Sequence, residues 1–304
     1  MHGTSQGPAN QPGLLILRAE SATLESVKLS CPKFAVLLFF LAGPGFVRTT
    51  YGQEKISAPH LSVDLVAENQ YIQPGRDFSL GLLFHLEKGW HVYWKNPGDS
   101  GSPPQVQWML PAGCRAGAIQ WPYPRRIAVG PLMNYGYEDE VLFIVPMHAA
   151  PQPKEGAAKI AAALKWVVCQ EVCIAGKGDV SLELPISTAA PAPSPLHDLF
   201  AKTRALLPRP LPAKWQIKAV SFSDAFLLTA RIGKPISSAD FFPVDPLVIE
   251  NAAPELFRNY GGKRFSLRLK KSEQLTKPVP RLKGVLVTDG AAYEAAIAVG
   301  GGPR

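Results

Sequence analysis

The chain has 304 residues, and its composition, 46% hydrophobic and 18% charged, is that of a globular protein rather than a disordered one. The formal net charge of +8 is unevenly placed, since residues 196–304 carry 17 basic and 9 acidic side chains. Aromatic and basic residues do not interleave, so the sequence does not predict nucleic-acid binding. Scattered lysines on a solvated face explain the charge more simply than an acidic partner or a membrane surface does.

Residues 1–52 have the outline of a secretory signal peptide behind an unusual extension. Lys28 and Lys33 precede the apolar run Phe34–Phe46, and a cleavable tail follows near Gly52. The run of about 13 residues is too short for a good membrane span, and no later stretch is long and apolar enough to be one. We therefore expect a periplasmic protein that is soluble after cleavage, in an oxidising compartment that permits disulfides.

Residues 53–188 show short apolar segments separated by turns. Predicted strands lie at 61–66, 78–86, 89–94, 106–108, 141–147, 160–168 and 180–184. Several of them alternate between apolar and polar residues, and no convincing amphipathic helix interrupts the series. This spacing predicts a β-sandwich.

Two cysteines, Cys169 and Cys173, lie four residues apart at the end of one such strand. The three residues between them, 170–172, fit a hairpin loop, which would place the two Cα atoms ~5.5 Å apart, within disulfide range. A helix would also bring residues i and i+4 together. The valines before the pair and the glycines after it favour the hairpin.

The spacing leaves two interpretations of such a disulfide open. A ring this small contributes only ~2 kcal/mol in the loop-entropy model, against ~4.7 kcal/mol for a hundred-residue loop, so it is a poor staple and a plausible redox centre. A purely structural hairpin disulfide would have the same sequence. Cys31 would be lost with the signal peptide, and Cys114 is predicted to be an incidental thiol.

A proline-rich linker is predicted at residues 189–211, with a short helix at 197–207. A second strand series then occupies residues 212–299, with strands at 215–222, 225–232, 247–250, 264–269, 284–288 and 293–299. The tail 300–304 is glycine-rich and predicted to be disordered. The predicted fold class is therefore all-β, with two tandem β-sandwich domains joined by the linker.

Five blocks of the sequence together resemble the periplasmic N-terminal region of DsbD-type thiol:disulfide interchange proteins. The similarity is greatest to the branch linked to suppression of copper sensitivity. The blocks are GWHVYWKNPGDSG (89–101), LPAG (110–113), GPLMNYGY (130–137), WVVCQEVC (166–173) and FFPVDPLVIENAAP (241–254). They occur in the expected order over most of residues 55–299. The resemblance implies immunoglobulin-like domains in which Cys169 and Cys173 are the catalytic pair.

The resemblance also implies how such a pair works. In the family, a membrane-embedded domain reduces the pair, which then reduces disulfides in periplasmic thioredoxin-fold partners. Family members shield the pair with an aromatic-bearing cap loop. Here the segment Trp121–Tyr137 corresponds to it, with Met133, Tyr135 and Tyr137 as candidate cap residues.

Two departures from the family pattern matter. The best-known members space the cysteines more widely, so the local geometry is expected to differ. This chain also ends where those members continue into a membrane electron-transfer domain and a thioredoxin-like domain. We therefore expect a separate membrane electron-transfer protein to supply electrons, unless the relay role has been lost.

Exchange needs one cysteine to form a mixed disulfide and the other to resolve it, and Cys173 is our preferred attacker. Lys165 would favour a thiolate, and Glu171 would oppose it, if either faced the pair; both are predicted to be ordinary surface charges. The residues His85, His91, Met147 and His148 form no tight cluster, so we predict no metal and no cofactor.

The sequence thus predicts an exported thiol:disulfide interchange module, with protein-disulfide reductase as the favoured activity. The alternative is a non-enzymatic periplasmic binding or scaffold module, tied to copper stress, whose disulfide is only structural.

Overall fold

A computed structural model describes residues 53–152, 156–261 and 263–302, and the predicted signal peptide lies outside these ranges. The regular secondary structure of the described residues is almost entirely β-strand, with one nine-residue helix among them. The all-β, immunoglobulin-like fold class is confirmed. In the part of the chain that the structure describes, no helix has the length and hydropathy of a membrane span.

Twelve strands build the first sandwich from two facing sheets. One sheet has the order β1-β12-β11-β5-β9-β8, with β6 also paired to β11, and the other has the order β2-β3-β4-β10-β7. The strands are β1 (Gln53–Glu54), β2 (Ile56–Ala58), β3 (Leu61–Ala67), β4 (Asp77–Leu86), β5 (His91–Gly98), β6 (Gln105–Met109), β7 (Arg115–Ala116), β8 (Arg125–Val129), β9 (Leu132–Glu138), β10 (Glu140–His148), β11 (Ala157–Cys169) and β12 (Cys173–Pro185).

The apolar alternation of these strands fills the space between the sheets. Along β11 every second side chain from Ala158 to Val168 is buried, which is the pattern expected of a strand with one face in a core. Phe84 and Phe143, from neighbouring strands of the other sheet, meet edge to face with ring centroids 5.4 Å apart. Burial of these aromatic and branched side chains is the main force that holds the two sheets together.

Residues 189–196 lie along the edge of the first sandwich, where Gln70 N donates to Ala192 O and Ser194 N donates to Glu68 O. Helix α1 (His197–Ala205) follows. Its Phe200 is completely buried among apolar side chains of β3, β4 and β10. Arg204 pairs with Glu68 through two hydrogen bonds. The helix is therefore fixed to the outer face of the five-stranded sheet β2-β3-β4-β10-β7.

The second sandwich comprises eight strands in the order β16-β19-β20-β14-β15-β18-β17, with β13 paired to β20. They are β13 (Arg209–Pro210), β14 (Gln216–Ser221), β15 (Ala225–Arg231), β16 (Ala239–Pro243), β17 (Leu256–Asn259), β18 (Arg264–Lys270), β19 (Arg281–Thr288) and β20 (Ala291–Gly301). Strand β20 runs antiparallel to β19 and then pairs in parallel with β14, so it links the two layers.

Several elements differ from the sequence prediction. The segment predicted as a cap loop is mostly a hairpin, β8 and β9. Residues 247–250, predicted as a strand, form a turn with one isolated bridge at Ile249, because Leu247 adopts a φ of 58° that breaks an extended run. Strand β20 extends to Gly301, within the tail predicted to be disordered, because Gly300 and Gly301 pair with β14.

The two sandwiches also meet side by side. Phe242, from β16, packs in the core of the first sandwich, edge to face with Tyr135 at 5.4 Å and with Trp94 at 6.4 Å. Asn96, which is 2% exposed, donates a 2.7 Å hydrogen bond to Pro243 O. This junction lies at the end of β5, and its contacts continue toward the cysteine pair.

Candidate functional site

The tip of the β11–β12 hairpin carries a disulfide. Cys169 ends β11, Cys173 begins β12, and the two residues are direct partners in the antiparallel register. Their sulfurs are bonded, with the Cα atoms 4.2 Å apart, so the hairpin rather than the helix is the observed structure. The Cα distance is shorter than the predicted ~5.5 Å and close to that of a non-hydrogen-bonded antiparallel pair.

The two cysteines differ sharply in exposure. Cys169 is 1% exposed, because β11 is a central strand and the register places His91 of β5 beside it. Cys173 is exposed, since β12 pairs with β1 only near its far end, at Ser181 and Leu182. An incoming thiol therefore has access to Cys173 and not to Cys169.

Tyr93 is the aromatic residue that contacts the pair. Its hydroxyl lies 3.6 Å from Cys173 Sγ, and because a disulfide sulfur has no proton, the hydroxyl is the donor. The side chain is completely buried, and burial raises the pKa of Tyr93 above its usual value of 10, although a hydrogen bond with Ser100 opposes this shift. Tyr93 is therefore a neutral donor aimed at the accessible sulfur.

A turn that follows β5 covers the Tyr93 ring. A Cβ on Gly101 would lie 2.0 Å from the ring, and the residue has a φ of +78°, so both space and backbone require glycine there. Asp99 accepts a 2.8 Å hydrogen bond from Met133 N, and the Ser100 hydroxyl donates to Asn134 Oδ1 at 2.9 Å. The turn is thus fixed to β9 on one side and to Tyr93 on the other.

The three predicted cap residues lie elsewhere in this arrangement. The Tyr137 hydroxyl donates to Pro122 O at 2.7 Å, and the Tyr135 hydroxyl donates to Asn251 Oδ1 at 2.8 Å. Burial raises the pKa of both hydroxyls, so they remain protonated. Met133 is half-buried, and its backbone rather than its side chain bonds to the turn.

Sequence reasoning missed the contact of Tyr93 with the disulfide and the position of the following turn above the Tyr93 ring. Tyr93 lies in the block 89–101 that resembles the family, but its neighbours Val92 and Trp94 are also completely buried. An aromatic residue in such a run is usually assigned to a core. The local signal was the close spacing of Gly98 and Gly101, which is typical of a turn; in the structure both residues have positive φ.

The second sandwich contributes to the same turn. Asn251, which is 5% exposed, donates a 2.7 Å hydrogen bond to Asp99 Oδ1. Arg126 donates to Asn251 O at 3.1 Å and pairs with Glu255, whose side chain is 6% exposed. Burial raises the pKa of Glu255 to about 7, although Arg126 opposes this shift.

The remaining site candidates have structural roles. His91 is 1% exposed, and burial lowers its pKa, so it is a neutral ring packed edge to face against Tyr93. His85 lies 3.2 Å from Glu140, and His148 lies 2.7 Å from Asp77. No group of three or more His, Cys, Asp or Glu residues within the described ranges is arranged to hold a metal ion.

Fold and site together define a class: an immunoglobulin-like protein with an accessible disulfide at the tip of a long hairpin. Residues 62–185 match the family model of the N-terminal part of the thiol:disulfide interchange protein DsbD. That match spans the hairpin, the turn and Tyr93. This region is a DsbD-type N-terminal region, which confirms the resemblance for the four sequence blocks that lie within it.

A solved structure has a similar fold over most of this chain. The N-terminal periplasmic domain of ScsB from Proteus mirabilis has a TM-score of 0.63 and 18% sequence identity, and the similarity covers 83% of this chain and 100% of that one. At this identity the likeness concerns the fold alone. No curated protein sequence matches the chain.

Proposed function

We propose that this protein is a periplasmic thiol:disulfide interchange module, a protein-disulfide reductase that relays two electrons through Cys169 and Cys173. The observation that carries the proposal is the asymmetry of the pair, with Cys173 exposed and in contact with the Tyr93 hydroxyl while Cys169 is buried. The match to the DsbD family model supports it. A merely structural disulfide needs neither an accessible sulfur nor a donor aimed at it.

Reduction of the module begins when a donor thiolate attacks Cys173 Sγ. The bond between Cys173 and Cys169 breaks, Cys169 leaves as a thiolate that takes up a proton, and a mixed disulfide joins the donor to Cys173. The second thiolate of the donor then displaces Cys173 and closes the donor's own disulfide. Two electrons and two protons have moved to the module, from a separate membrane electron-transfer protein in our proposal.

The reduced module then transfers its two electrons to a partner by the same exchange in the opposite direction. The Cys173 thiolate attacks the disulfide of a thioredoxin-fold protein, and Cys169 then attacks Cys173 Sγ, which releases the partner as a dithiol. The Tyr93 hydroxyl stabilises the negative charge on Cys173 by donating to its sulfur. The buried position of Cys169 restricts its attack to the neighbouring sulfur, as a resolving cysteine requires.

Trapping tests the proposal, with each cysteine serving as the control for the other. In Cys169→Ser, Cys173 still attacks but nothing resolves the product, so a mixed disulfide with an oxidised thioredoxin-fold protein should accumulate on a non-reducing gel. Cys173→Ser keeps only the buried cysteine and should trap little. Equal trapping by both variants, or none by either, contradicts the proposed roles.

The reduction potential separates this proposal from a scaffold with a structural disulfide. An exchange centre should equilibrate with glutathione mixtures, whereas a value well below about −300 mV is typical of a structural staple. Such a low potential would favour the scaffold.

A further inference from the structure

The exposed face of the active-site hairpin has an ordered series of side-chain pairs. Starting from the disulfide, the direct cross-strand partners on this face are Cys169 with Cys173, Val167 with Ala175, and Lys165 with Lys177. Alternate residues of a strand share a face, and direct partners in an antiparallel pair point to the same side. Both lysines are exposed, so the face presents a disulfide, then an apolar pair, then two positive charges.

The lysine pair is unfavourable for the isolated hairpin. Like charges directly opposite each other on neighbouring strands are destabilising. Within the described residues, no ion pair includes either lysine. Along this face of the hairpin the next acidic residue is Asp179, opposite Ala163. None of the ion pairs within the described ranges includes Asp179. The positive charge therefore faces solvent.

The lysines also line a groove that leads away from the site. The groove has a volume of about 440 Å³, and the hairpin forms one wall with Lys165, Val167, Ala175 and Lys177. Ser102, Pro103 and Gln105 also line the groove, and Gln105 of β6 is the strand partner of Lys165. Ser102 directly follows Gly101, the residue that covers Tyr93. On the cysteines' face of the hairpin, the groove begins at the pair next to the disulfide, Val167 and Ala175.

We propose that this groove docks an extended, carboxylate-bearing segment of the thiol partner during exchange. The inference rests on the proposed function and adds the chemistry of the partner's surface. The lysines lie four residues from the cysteines on each strand, or roughly 13 Å along the hairpin. The partner's carboxylates should therefore lie at about that distance from its reactive sulfur, with small or apolar residues between.

The distance gives the lysines a docking role rather than a direct effect on the sulfur. At physiological salt the screening length is about 8 Å, so a charge roughly 13 Å away hardly affects a thiolate. A partner carboxylate in the groove is in contact with both lysines and is screened much less. Opposite charges at such a surface raise the rate of association and orient the partner.

Two peptides that differ only in charge test the proposal. Each has one cysteine, activated as a mixed disulfide with thionitrobenzoate, followed four residues later by two glutamates or by two glutamines. The Cys169→Ser protein attacks with its Cys173 thiolate, the protein–peptide disulfide forms, and coloured thionitrobenzoate leaves with the electron pair. At low salt the glutamate peptide should react about fivefold faster, and the difference should vanish in high salt.

Lysine variants identify the source of the difference. Adding Lys165→Gln and Lys177→Gln should make the two peptides react at equal rates. Lys159→Gln is the matched control, because Lys159 lies on the same face of β11 but opposite Glu183, three pairs farther from the disulfide than Lys165. It should leave the preference unchanged.

The outcomes separate the two proposals. Equal rates for both peptides on the Cys169→Ser protein, or an unchanged preference after both lysines are replaced, overturn the docking inference and leave the proposed function standing. If neither peptide reacts, Cys173 is not an accessible nucleophile. In that case the proposed function fails, and the docking inference fails with it.

Discussion

Tyr93 shows how one side chain gives two bonded cysteines different chemistry. Its ring is fully buried under Gly101, and only its hydroxyl reaches the sulfur of Cys173. Cys169 is bonded to the same sulfur but lies within the sheet, beside His91. The accessible cysteine therefore also has a hydrogen-bond donor, which is the arrangement an attacking thiolate needs.

Tyr93→Phe should slow exchange with little effect on folding. The substitution keeps the buried ring and removes the donor to Cys173, so the thiolate loses a hydrogen bond worth about 1 kcal/mol, or roughly fivefold. In the Cys169→Ser background, the alkylation rate of Cys173 at neutral pH should fall by about that factor, and its pH profile should move to higher pH. Tyr137→Phe, which loses a bond to Pro122 O instead, is the control and should leave the profile unchanged.

At the scale of elements, the turn after β5 is the cover of the site. It holds Tyr93 in place because Gly101 permits contact between the backbone and the ring. Asp99 and Ser100 fix the turn to β9. The predicted cap, by contrast, is mostly the β8–β9 hairpin, which supports this turn from the side.

Gly101→Ala should therefore be more costly than an ordinary substitution of a glycine at positive φ. The added Cβ would overlap the Tyr93 ring, and the backbone conformation adds strain of about 1–2 kcal/mol. We expect a total loss of more than about 2 kcal/mol in the free energy of unfolding, measured by urea denaturation. Gly233→Ala is the matched control, since its φ is +79° but nothing lies within 4 Å of the added Cβ; a similar loss in both variants would contradict the contact with Tyr93.

At the scale of the whole molecule, the second sandwich supports the disulfide site of the first. The Asn251 side chain donates a hydrogen bond to the Asp99 carboxylate, and the Pro243 carbonyl accepts one from Asn96. Phe242 packs in the core of the first sandwich. Arg126, which pairs with the buried carboxylate of Glu255, also donates to Asn251 O and so links the ion pair to these contacts. The turn over Tyr93 thus depends on residues more than a hundred positions away in the chain.

Glu255 should make the stability of this junction depend on pH. Its pKa rises from 4.5 to about 7 in the folded state, because burial disfavours the charged form. Between these values the folded protein binds more protons than the unfolded chain, so this contribution is complete below pH 4.5 and is lost as the pH rises through 7. Relative to Glu255→Gln, the wild type should lose up to about 1.4 kcal/mol per pH unit between pH 5 and 7. A difference between the two proteins that stays constant over this range in urea titrations would contradict the assignment.

Local sequence determined much of this protein. The alternation of apolar and polar residues predicts most of the strands, because one face of each strand must be buried. The spacing of Cys169 and Cys173 predicts their pairing, since a three-residue loop in a hairpin fixes which residues are opposite each other. The blocks around them identified the DsbD-type region.

Tertiary structure alone decided what surrounds the disulfide. Tyr93 and Cys173 are 80 residues apart, and their contact depends on how β5 packs beside β11. The hydrogen bond from Asn251 to Asp99 joins residues that are 152 positions apart, and it depends on how the two sandwiches meet. Local propensity carries no information about such contacts, because they result from the burial of whole surfaces rather than from the pattern of any one segment.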